Sequence, residues 1–421
     1  MRGVSRGGCL LLGASLAALA CAPPPPAPGP APAVGAGRPI RIAIVGGASA
    51  VRVGGTGPWQ LEGAGGRAAI ARIDGRGEWR VEAVRAELRA VAPGGASSAL
   101  HRSLVARPAA GGAFVTIEGR AYRGTVAMVA TDTGVLVINR VPLEEYLLGV
   151  VPIEMGRRTE REREALAAQA VASRGFADRR RNPSVGDGAY DLVATVLAQA
   201  YGGVLAEYDL ATEAVRRTAG LVLRHEGRPI EAVYSSTCGG STAAASEVWR
   251  SADLPYLRPV SDRIPGLEEW YCSPSPRFRW VRDFDAAALA ATLRTHLPRH
   301  AGAAAGAFRA VREIAVDSTT ATGRVGTLTV RTDHGTWAVR GNDVRFVLRD
   351  ANGGILPSTY FSLTTRRDAS GSVTSLAVSG RGNGHGIGMC QWGAIGRARA
   401  GQDFRRILET YYPGTTVARV D

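Results

Sequence analysis

Residues 141–155 read VPLEEYLLGVVPIEM, and this stretch separates two parts of the chain that have different patterns. Apolar residues recur from Leu143 to Val151 at positions i, i+3, i+4, i+7 and i+8, which predicts an amphipathic helix. We expect Pro152 to kink or end that helix, because proline removes one backbone hydrogen bond and clashes with the preceding turn. The sequence therefore predicts that a helical region begins here.

The chain before this helix predicts strands, and the chain after it predicts both helices and strands. Short alternating or apolar runs fill residues 39–140, separated by turns rich in Gly and Asp. Downstream, Thr159-Glu160-Arg161-Glu162 is typical of a capping box and predicts a helix to about Arg180. The further predicted elements are strands at 221–223 and 230–234, a helix at 284–297, strands at 326–330, 336–339 and 373–378, and a closing helix at 404–411.

This order of elements predicts an α+β fold with three folded parts. They are a β-rich N-terminal domain at 39–140, a mixed helix and strand core at 141–282, and a strand-rich C-terminal part with a closing helix at 283–421. With 421 residues and 45% hydrophobic residues, the chain can bury sizeable cores, which excludes wholesale disorder. Since no apolar run reaches about 18 residues, a polytopic membrane protein is excluded too.

The charge of the chain is strongly positive. All 51 basic residues are arginine, against 37 acidic residues, which gives a net charge of +14. These arginines are scattered, so we expect no nucleic-acid partner, and an anionic cell envelope fits the charge better.

The N-terminus predicts export. Two arginines within residues 1–6 precede a short apolar segment, which is typical of a secretory signal covering residues 1–20. Ala18-Leu19-Ala20-Cys21 resembles a bacterial lipobox, which implies cleavage before Cys21 and its lipidation. An ordinary signal peptide is the alternative. Residues 21–38 form a proline-rich tether. We therefore expect an exported protein that is lipid-anchored to the cell envelope and faces the periplasm or the outside.

Export also changes how the remaining cysteines are interpreted. In an oxidising compartment a Cys238–Cys272 disulfide is a candidate, which leaves Cys390 free. We expect no metal site and no cofactor, because these cysteines lie far apart in sequence and Pro298 interrupts the His296/His300 pair.

Three segments could carry chemistry. Glu154 lies among apolar residues whether or not the helix continues past Pro152. Burial raises the pKa of such a carboxyl, as a general acid requires. The alternative is a buried ion pair with an arginine such as Arg174.

Residues 234–242, YSSTCGGST, are either a ligand-binding turn or an ordinary polar turn. Residues 380–393, GRGNGHGIGMCQWG, lack the Lys-Ser/Thr of a phosphate-binding loop.

Five segments, in order, make the chain resemble the stage II sporulation protein D and amidase enhancer family (SpoIID/LytB). They are residues 141–155, residues 165–174 (ALAAQAVASR), residues 199–203 (QAYGG), residues 235–242 and the closing motif at 384–394 (GHGIGMCQWGA). The resemblance covers roughly residues 39–420 and makes 141–282 the expected catalytic core.

The resemblance implies a sporulation-related class of cell-wall enzymes, the lytic transglycosylases that cut peptidoglycan glycan strands, with a preference for strands stripped of peptides. The catalytic glutamate of the family falls on Glu154, which implies 1,6-anhydro-MurNAc products and no second catalytic carboxylate. The residues that the resemblance assigns to glycan binding are Gln199, Tyr201, Ser235, Ser236, Thr237, His385 and Gln391.

The sequence departs from the family pattern in two places. The Cys/His metal cluster of some relatives is absent from residues 190–198, and Cys390 stands where Ser is more common. Two other interpretations remain open. One is a non-catalytic peptidoglycan-binding protein that activates a cell-wall amidase. The other is a cysteine hydrolase that uses Cys390 and His385.

Overall fold

Strands dominate the N-terminal part, because Gly- and Asp-rich turns interrupt its apolar runs after a few residues. The computed structural model describes residues 39–63, 69–75, 77–181, 188–195, 198–249 and 253–419. The predicted signal peptide, the tether and Cys21 lie outside these residues.

The N-terminal strands form two sheets that share one core. The strands are β1 Ile40–Ala48, β2 Ala50–Gly55, β3 Trp59–Gly63, β4 Ala69–Ile73, β5 Trp79–Val84, β6 Glu87–Val91, β7 Ser103–Pro108, β8 Val115–Ile117, β9 Arg120–Tyr122, β10 Thr125–Thr131 and β11 Gly134–Val141. One sheet has the order β1-β11-β10-β7-β3-β4, and the other has the order β6-β5-β2-β8-β9. Trp59 is fully buried between them.

The central part contains the helices that the sequence predicts. Its elements are α1 Leu143–Met155, α2 Arg163–Arg180, β12 Leu192–Val193, α3 Asp209–Arg217, β13 Leu221–His225, β14 Arg228–Pro229, β15 Tyr234–Ser235 and α4 Ala245–Val248. Strand β12 adds to the first sheet, parallel to β1. The capping box at Thr159 and Glu162 is confirmed, and it opens a short 3₁₀ turn ahead of α2.

Two of the predictions for this part need correction. Helix α1 does not end at Pro152 but continues to Met155 and stops at Gly156, whose φ is 67°. The predicted strand at 230–234 is limited to its last residue, where β15 begins. Ile230, Ala232 and Val233 pack into the core, so their burial does not depend on strand pairing.

The C-terminal part has its own hydrophobic core. Its elements are β16 Arg279–Asp285, α5 Ala286–His296, α6 Pro298–Ala301, β17 Val311–Thr319, β18 Val325–Thr332, β19 Thr336–Arg340, α7 Val344–Val347, β20 Phe361–Arg367, β21 Val373–Arg381, β22 Met389–Cys390, α8 Gln391–Arg399, α9 Phe404–Tyr411 and β23 Thr416–Arg419. Two three-stranded sheets, β16-β21-β20 and β17-β18-β19, enclose this second core with α5.

The chain then returns to the central part. Strand β22 pairs in parallel with β15, and β23 pairs with β13. Helices α8 and α9 pack against α2, so the closing motif lies beside α1 and α2. The predicted α+β class, with a β-rich N-terminal region and a mixed core, is confirmed. Among the described residues, no helix is both long and apolar enough to cross a membrane.

Candidate active site

Glu154 lies in the last turn of α1, where the helix carries it past Pro152 on the side facing the closing motif. Its neighbours Val151 and Met155 are buried, whereas Ile153 is 48% exposed. Glu154 itself is only partly buried. Glu154 thus combines a partly exposed side chain with buried apolar neighbours on its own helix.

Two hydrogen bonds hold the Glu154 carboxylate. Its Oε1 accepts from the backbone N–H of Ala200 at 2.8 Å, and its Oε2 accepts from Gln391 Nε2 at 3.2 Å. Burial raises the pKa of Glu154 above its ordinary value, and the two hydrogen bonds oppose that change. The carboxyl therefore keeps its proton to a higher pH than an exposed glutamate, as a general acid requires.

An ion pair with Arg174 is the wrong interpretation of Glu154. The Arg174 guanidinium donates instead to Glu144, from Nε to Oε1 at 2.7 Å and from Nη2 to Oε2 at 2.8 Å. Within the described ranges, Glu154 forms no ion pair. The arginine that could have neutralised Glu154 therefore has a different partner, Glu144 in the first turn of α1.

A series of hydrogen-bonded polar side chains in the interior holds the Gln391 side chain in place. Gln391 Nε2 also donates to Gln169 Oε1 at 3.3 Å, and Gln169 Nε2 donates to Ser173 Oγ at 2.9 Å. Ser173 Oγ in turn donates to the hydroxyl of Tyr234 at 3.3 Å. Gln169 and Ser173 lie one turn apart on α2, so the helix fixes the side chain that faces Glu154.

Gln199 lies in the interior and has no exposed surface. Its Nε2 donates to Tyr234 OH at 3.0 Å and to the Ser173 carbonyl at 3.2 Å, and its Oε1 accepts from Tyr146 OH at 3.1 Å. This side chain anchors the backbone just before Ala200, whose N–H binds Glu154. The geometry gives Gln199 a positioning role, which differs from the direct glycan contact that the sequence predicts.

Tyr201 also lies in the interior. Its hydroxyl donates to Asn139 Oδ1 at 3.0 Å, and its ring packs against that of Tyr146 with centroids 4.9 Å apart. A Cβ on Gly149 would lie only 2.6 Å from the Tyr201 ring, so glycine is needed for this close approach. Tyr201 thus secures the loop after residue 198 against α1.

The hydroxyl-bearing residues Ser235, Ser236 and Thr237 lie next to the closing motif. Ser235 pairs with Cys390 across the β15–β22 ladder, and Thr237 Oγ1 hydrogen-bonds to Ser275 Oγ at 2.8 Å. Ser235 and Thr237 are buried, whereas Ser236 is partly exposed. The buried Ser235 Oγ has no hydrogen-bond partner among the residues that the structure describes. Of these three predicted binding residues, Ser236 is therefore the most accessible to a ligand.

His385 is fixed as a neutral imidazole. Its Nδ1 accepts from the Ile387 N–H at 3.1 Å, so Nε2 carries the proton that it donates to the Tyr234 carbonyl at 2.8 Å. Burial lowers the pKa of His385 to about 4. Because both ring nitrogens bind backbone groups, His385 cannot serve as the base of a Cys390 nucleophile.

Three cysteines that are distant in sequence, Cys238, Cys272 and Cys390, lie close together in the fold. Cys238 Sγ and Cys272 Sγ are 3.6 Å apart as free thiols, so a disulfide between them remains a prediction. Cys390 Sγ and a carboxylate oxygen of Asp262 lie within 4.8 Å of both sulfurs. The expectation that there is no metal site rested on separation in sequence, and the fold removes that argument.

Several residues of the site have no role that the sequence predicts. They are Tyr146, Gln169, Ser173, Tyr234, the Ala200 N–H, Asp262, Trp249, Arg158 and Trp392. The Trp249 ring lies 5.1 Å from that of His385, and the Arg158 guanidinium lies 5.0 Å from the partly exposed Trp392 ring. A polar pair one turn apart on the otherwise apolar face of α2 was the signal that could have identified Gln169 and Ser173.

Comparisons with known proteins show which proteins the chain is similar to. Residues 131–225 match a family model described as Stage II sporulation protein, and these residues include α1, α2 and Glu154. Residues 268–388 match the model of a domain of unknown function. The first model thus covers the helices that hold the carboxyl.

Three relatives extend the likeness over most of the chain. The chain is 30% identical over 299 residues to Stage II sporulation protein D of Bacillus subtilis (strain 168), covering 68% of this chain and 76% of that protein. It is 30% identical over 335 residues to the Amidase enhancer of the same organism, covering 72% of this chain but only 45% of the relative. It is also 28% identical over 302 residues to an uncharacterized protein of Brachyspira hyodysenteriae, covering 72% of this chain and 73% of that protein.

Proposed function

Because this chain belongs to the stage II sporulation protein D and amidase enhancer family, we propose that it acts in the cell wall as a lytic transglycosylase. In this proposal the enzyme cleaves the glycan strands of peptidoglycan and prefers strands stripped of stem peptides. The observation that carries the proposal is Glu154, a partly buried carboxyl with a raised pKa that an amide and a backbone N–H hold in place.

The proposed mechanism uses the Glu154 carboxyl twice. The protonated carboxyl first donates its proton to the glycosidic oxygen that follows MurNAc, and the bond from C1 to that oxygen breaks. The carboxylate then removes the proton from the C6 hydroxyl of the same sugar, whose oxygen attacks C1. The product is a 1,6-anhydro-MurNAc end, and no water is consumed. A single carboxyl suffices, whereas most glycosidases use two.

The surroundings of Glu154 suit this double role. The Ala200 N–H and the Gln391 amide stabilise the carboxylate that forms after the first step, because each donates a hydrogen bond to one of its oxygens. In this proposal Ser236 and the Trp392 ring contact the sugars, since both are partly exposed and Trp392 directly follows Gln391, whose amide binds Glu154. The buried Gln199, Tyr201, Ser235 and Thr237 position those groups.

A second candidate function is a non-catalytic one. The Amidase enhancer of Bacillus subtilis is among the relatives, and its name describes an effect on another enzyme. The corresponding proposal for this chain is a peptidoglycan-binding protein that localises or stimulates a cell-wall amidase. The transglycosylase proposal is preferred because the second candidate gives Glu154 no role.

We further propose the location of the protein. The signal sequence, the lipobox-like Cys21 and the proline-rich residues 21–38 would tether the folded part to a membrane of the cell envelope. The peptidoglycan strands, and with them any amidase partner, would lie within reach on the periplasmic or outer side.

Mass spectrometry of soluble products tests the function. Glycan strands, either untreated or stripped by an amidase, are incubated with the wild type and with Glu154→Gln. We expect anhydro-terminated fragments from the wild type alone, and more of them from the stripped strands. Binding of both proteins to the strands without release of fragments would contradict the enzymatic proposal and favour the wall-binding one.

A further inference from the structure

A cluster of four metal-ligand side chains lies outside the proposed chemistry. Cys238 follows β15, Asp262 and Cys272 lie in the loops after α4, and Cys390 ends β22. All four are fully buried. One ligand atom of each lies within 4.8 Å of the ligand atoms of the others. Burial of three thiols and a carboxyl in a single group calls for a physical explanation.

The measured separations suit a tetrahedral metal ion. Cys238 Sγ is 3.6 Å from Cys272 Sγ and 3.7 Å from Asp262 Oδ2. With metal–sulfur bonds of about 2.3 Å and metal–oxygen bonds of about 2.1 Å, a tetrahedral zinc site has S–S edges of about 3.8 Å and S–O edges of about 3.6 Å. These two separations therefore match the edges of a zinc site, and the remaining ligand atoms, all within 4.8 Å of one another, need only small movements to complete it.

Hydrogen bonds orient the carboxylate toward the sulfurs. Asp262 Oδ1 accepts from Tyr411 OH at 2.6 Å and lies 3.2 Å from Arg397 Nη2. The other oxygen, Oδ2, faces Cys238. Ligand carboxylates are oriented in this way by outer hydrogen bonds, with one oxygen anchored and the other directed to the metal.

Cys390 Sγ is placed as a hydrogen-bond acceptor. It accepts from the backbone N–H of Cys238 at 3.1 Å and from that of Gly393 at 3.3 Å, the second contact being the N-terminal cap of α8. Backbone donors and a helix N-terminus stabilise negative charge on sulfur. The form of cysteine that binds a metal is the thiolate, so this environment suits a ligand.

The buried charges also balance with a divalent ion. Three thiolates, one carboxylate and a 2+ ion sum to 2−, and two buried guanidinium groups lie next to the cluster. Arg397 contacts Asp262, and Arg324 Nη2 donates to the Cys238 carbonyl at 2.7 Å. Arg324 is 1% exposed and, within the described residues, forms no ion pair. An anionic centre would compensate its buried charge.

We propose that Cys238, Asp262, Cys272 and Cys390 bind one zinc ion in a closed structural site. Thiolate ligands select thiophilic metals, and four protein ligands leave no open position for catalysis. Cys390 directly precedes Gln391, whose amide donates to Glu154. The ion would therefore fix the start of α8 and, through it, the amide at the proposed catalytic carboxyl.

The predicted Cys238–Cys272 disulfide and the zinc site exclude each other, because both use the same two sulfurs. The test is to purify the protein without reductant and in the presence of zinc, and then to measure its metal content and its intact mass under native conditions. We expect one zinc per chain, retained through dialysis, and three thiols that react with a thiol reagent only after chelation. Replacement with cobalt should produce thiolate-to-cobalt charge-transfer bands and the absorption of a tetrahedral ion.

Matched variants locate the metal in the sequence. Cys390→Ser and Asp262→Asn should lower the retained zinc at least tenfold, whereas Asp191→Asn should keep it. Asp191 is a suitable control, because its side chain is 2% exposed and paired with Arg41, away from the cysteines. The cobalt spectrum of the wild type tests the site even if a variant fails to fold. Three free thiols without metal in excess zinc, or a Cys238–Cys272 disulfide in the purified protein, would overturn the proposal.

Discussion

Replacement of Gln391 by Ala tests how the site controls the proton on Glu154. Gln391 donates to the ionised carboxylate at 3.2 Å, so its removal destabilises the charged form and raises the pKa of Glu154 further. A hydrogen bond to a charged group contributes about 1.5–3 kcal/mol. The lower end of this range applies here, because the contact is long at 3.2 Å. About 1.5 kcal/mol changes the ratio of protonated to ionised carboxyl about tenfold.

The assay is the pH profile of kcat/KM for the release of anhydro-terminated fragments. A general acid works in its protonated form, so activity falls as the pH rises through the pKa of Glu154. In Gln391→Ala this falling limb should move to higher pH, while the low-pH plateau drops because the carboxyl is less well held. A falling limb that stays in place, or that moves to lower pH, would refute the reasoning.

A matched control separates this effect from a general loss of stability. Gln60 Nε2 donates to Glu62 Oε1 at 2.9 Å in the N-terminal sheet, so Gln60→Ala removes an amide–carboxylate hydrogen bond outside the site. Its pH profile should match that of the wild type. Thermal unfolding of both variants shows whether Gln391→Ala remains folded in the assay.

Two further predictions concern stability and ligand binding. Tyr201→Phe should lower the free energy of unfolding by about 1–2 kcal/mol in urea titrations, because it leaves Asn139 Oδ1 without its donor, while binding to glycan strands should stay at the wild-type level. Arg174→Met should lower the free energy of unfolding by about 3–5 kcal/mol, because it leaves the Glu144 carboxylate unpaired.

Each of these predictions has its own contrary result. Loss of glycan binding by a folded Tyr201→Phe would contradict the buried role given to Tyr201 and favour its direct contact with the glycan. For the buried arginine, the control is Arg163→Met, since Arg163 and its partner Glu213 are both exposed and such pairs contribute about 0–1 kcal/mol. Equal decreases of the free energy of unfolding in Arg174→Met and Arg163→Met would contradict the importance assigned to burial of the ion pair.

The sequence predicts the elements whose pattern is local. The capping box at Thr159 and the closing helix Phe404–Tyr411 are confirmed, because caps and helical periodicity depend on neighbours within a few residues. The same kind of pattern, a carboxyl on an apolar helical stripe, made Glu154 a candidate, and its catalytic role, implied by the family resemblance, stays a prediction. Of the two alternatives at Pro152, a kink or an end, the end is wrong, since the packed helix tolerates the proline and continues to Met155.

The sequence does not predict which way a side chain faces once loops fold back. Gln199 and Tyr201 lie in the segment expected to bind sugar, yet both face inward and hold the Ala200 backbone in place. The partner of Arg174 could not be chosen either, because Glu144 and Glu154 lie on the same short helix.

The sequence also does not predict which distant residues meet in the fold, and the cysteine cluster is an example. Cys238 and Cys390 are separated by 152 positions, and only the β15–β22 ladder and the return of the chain to α2 bring them together. Asp262 carries no recognisable motif, and its position became visible only through its contacts with Tyr411 and Arg397. Spacing along the chain therefore gave no reason to group these residues.

The most direct test of the central claim is a digest of peptide-stripped glycan strands in water labelled with heavy oxygen, followed by mass spectrometry of the MurNAc ends. The account predicts unlabelled 1,6-anhydro ends, one water lighter than reducing ends, formed by the wild type and absent with Glu154→Gln. Reducing ends that carry the heavy oxygen, or equal products from the two proteins, would contradict it.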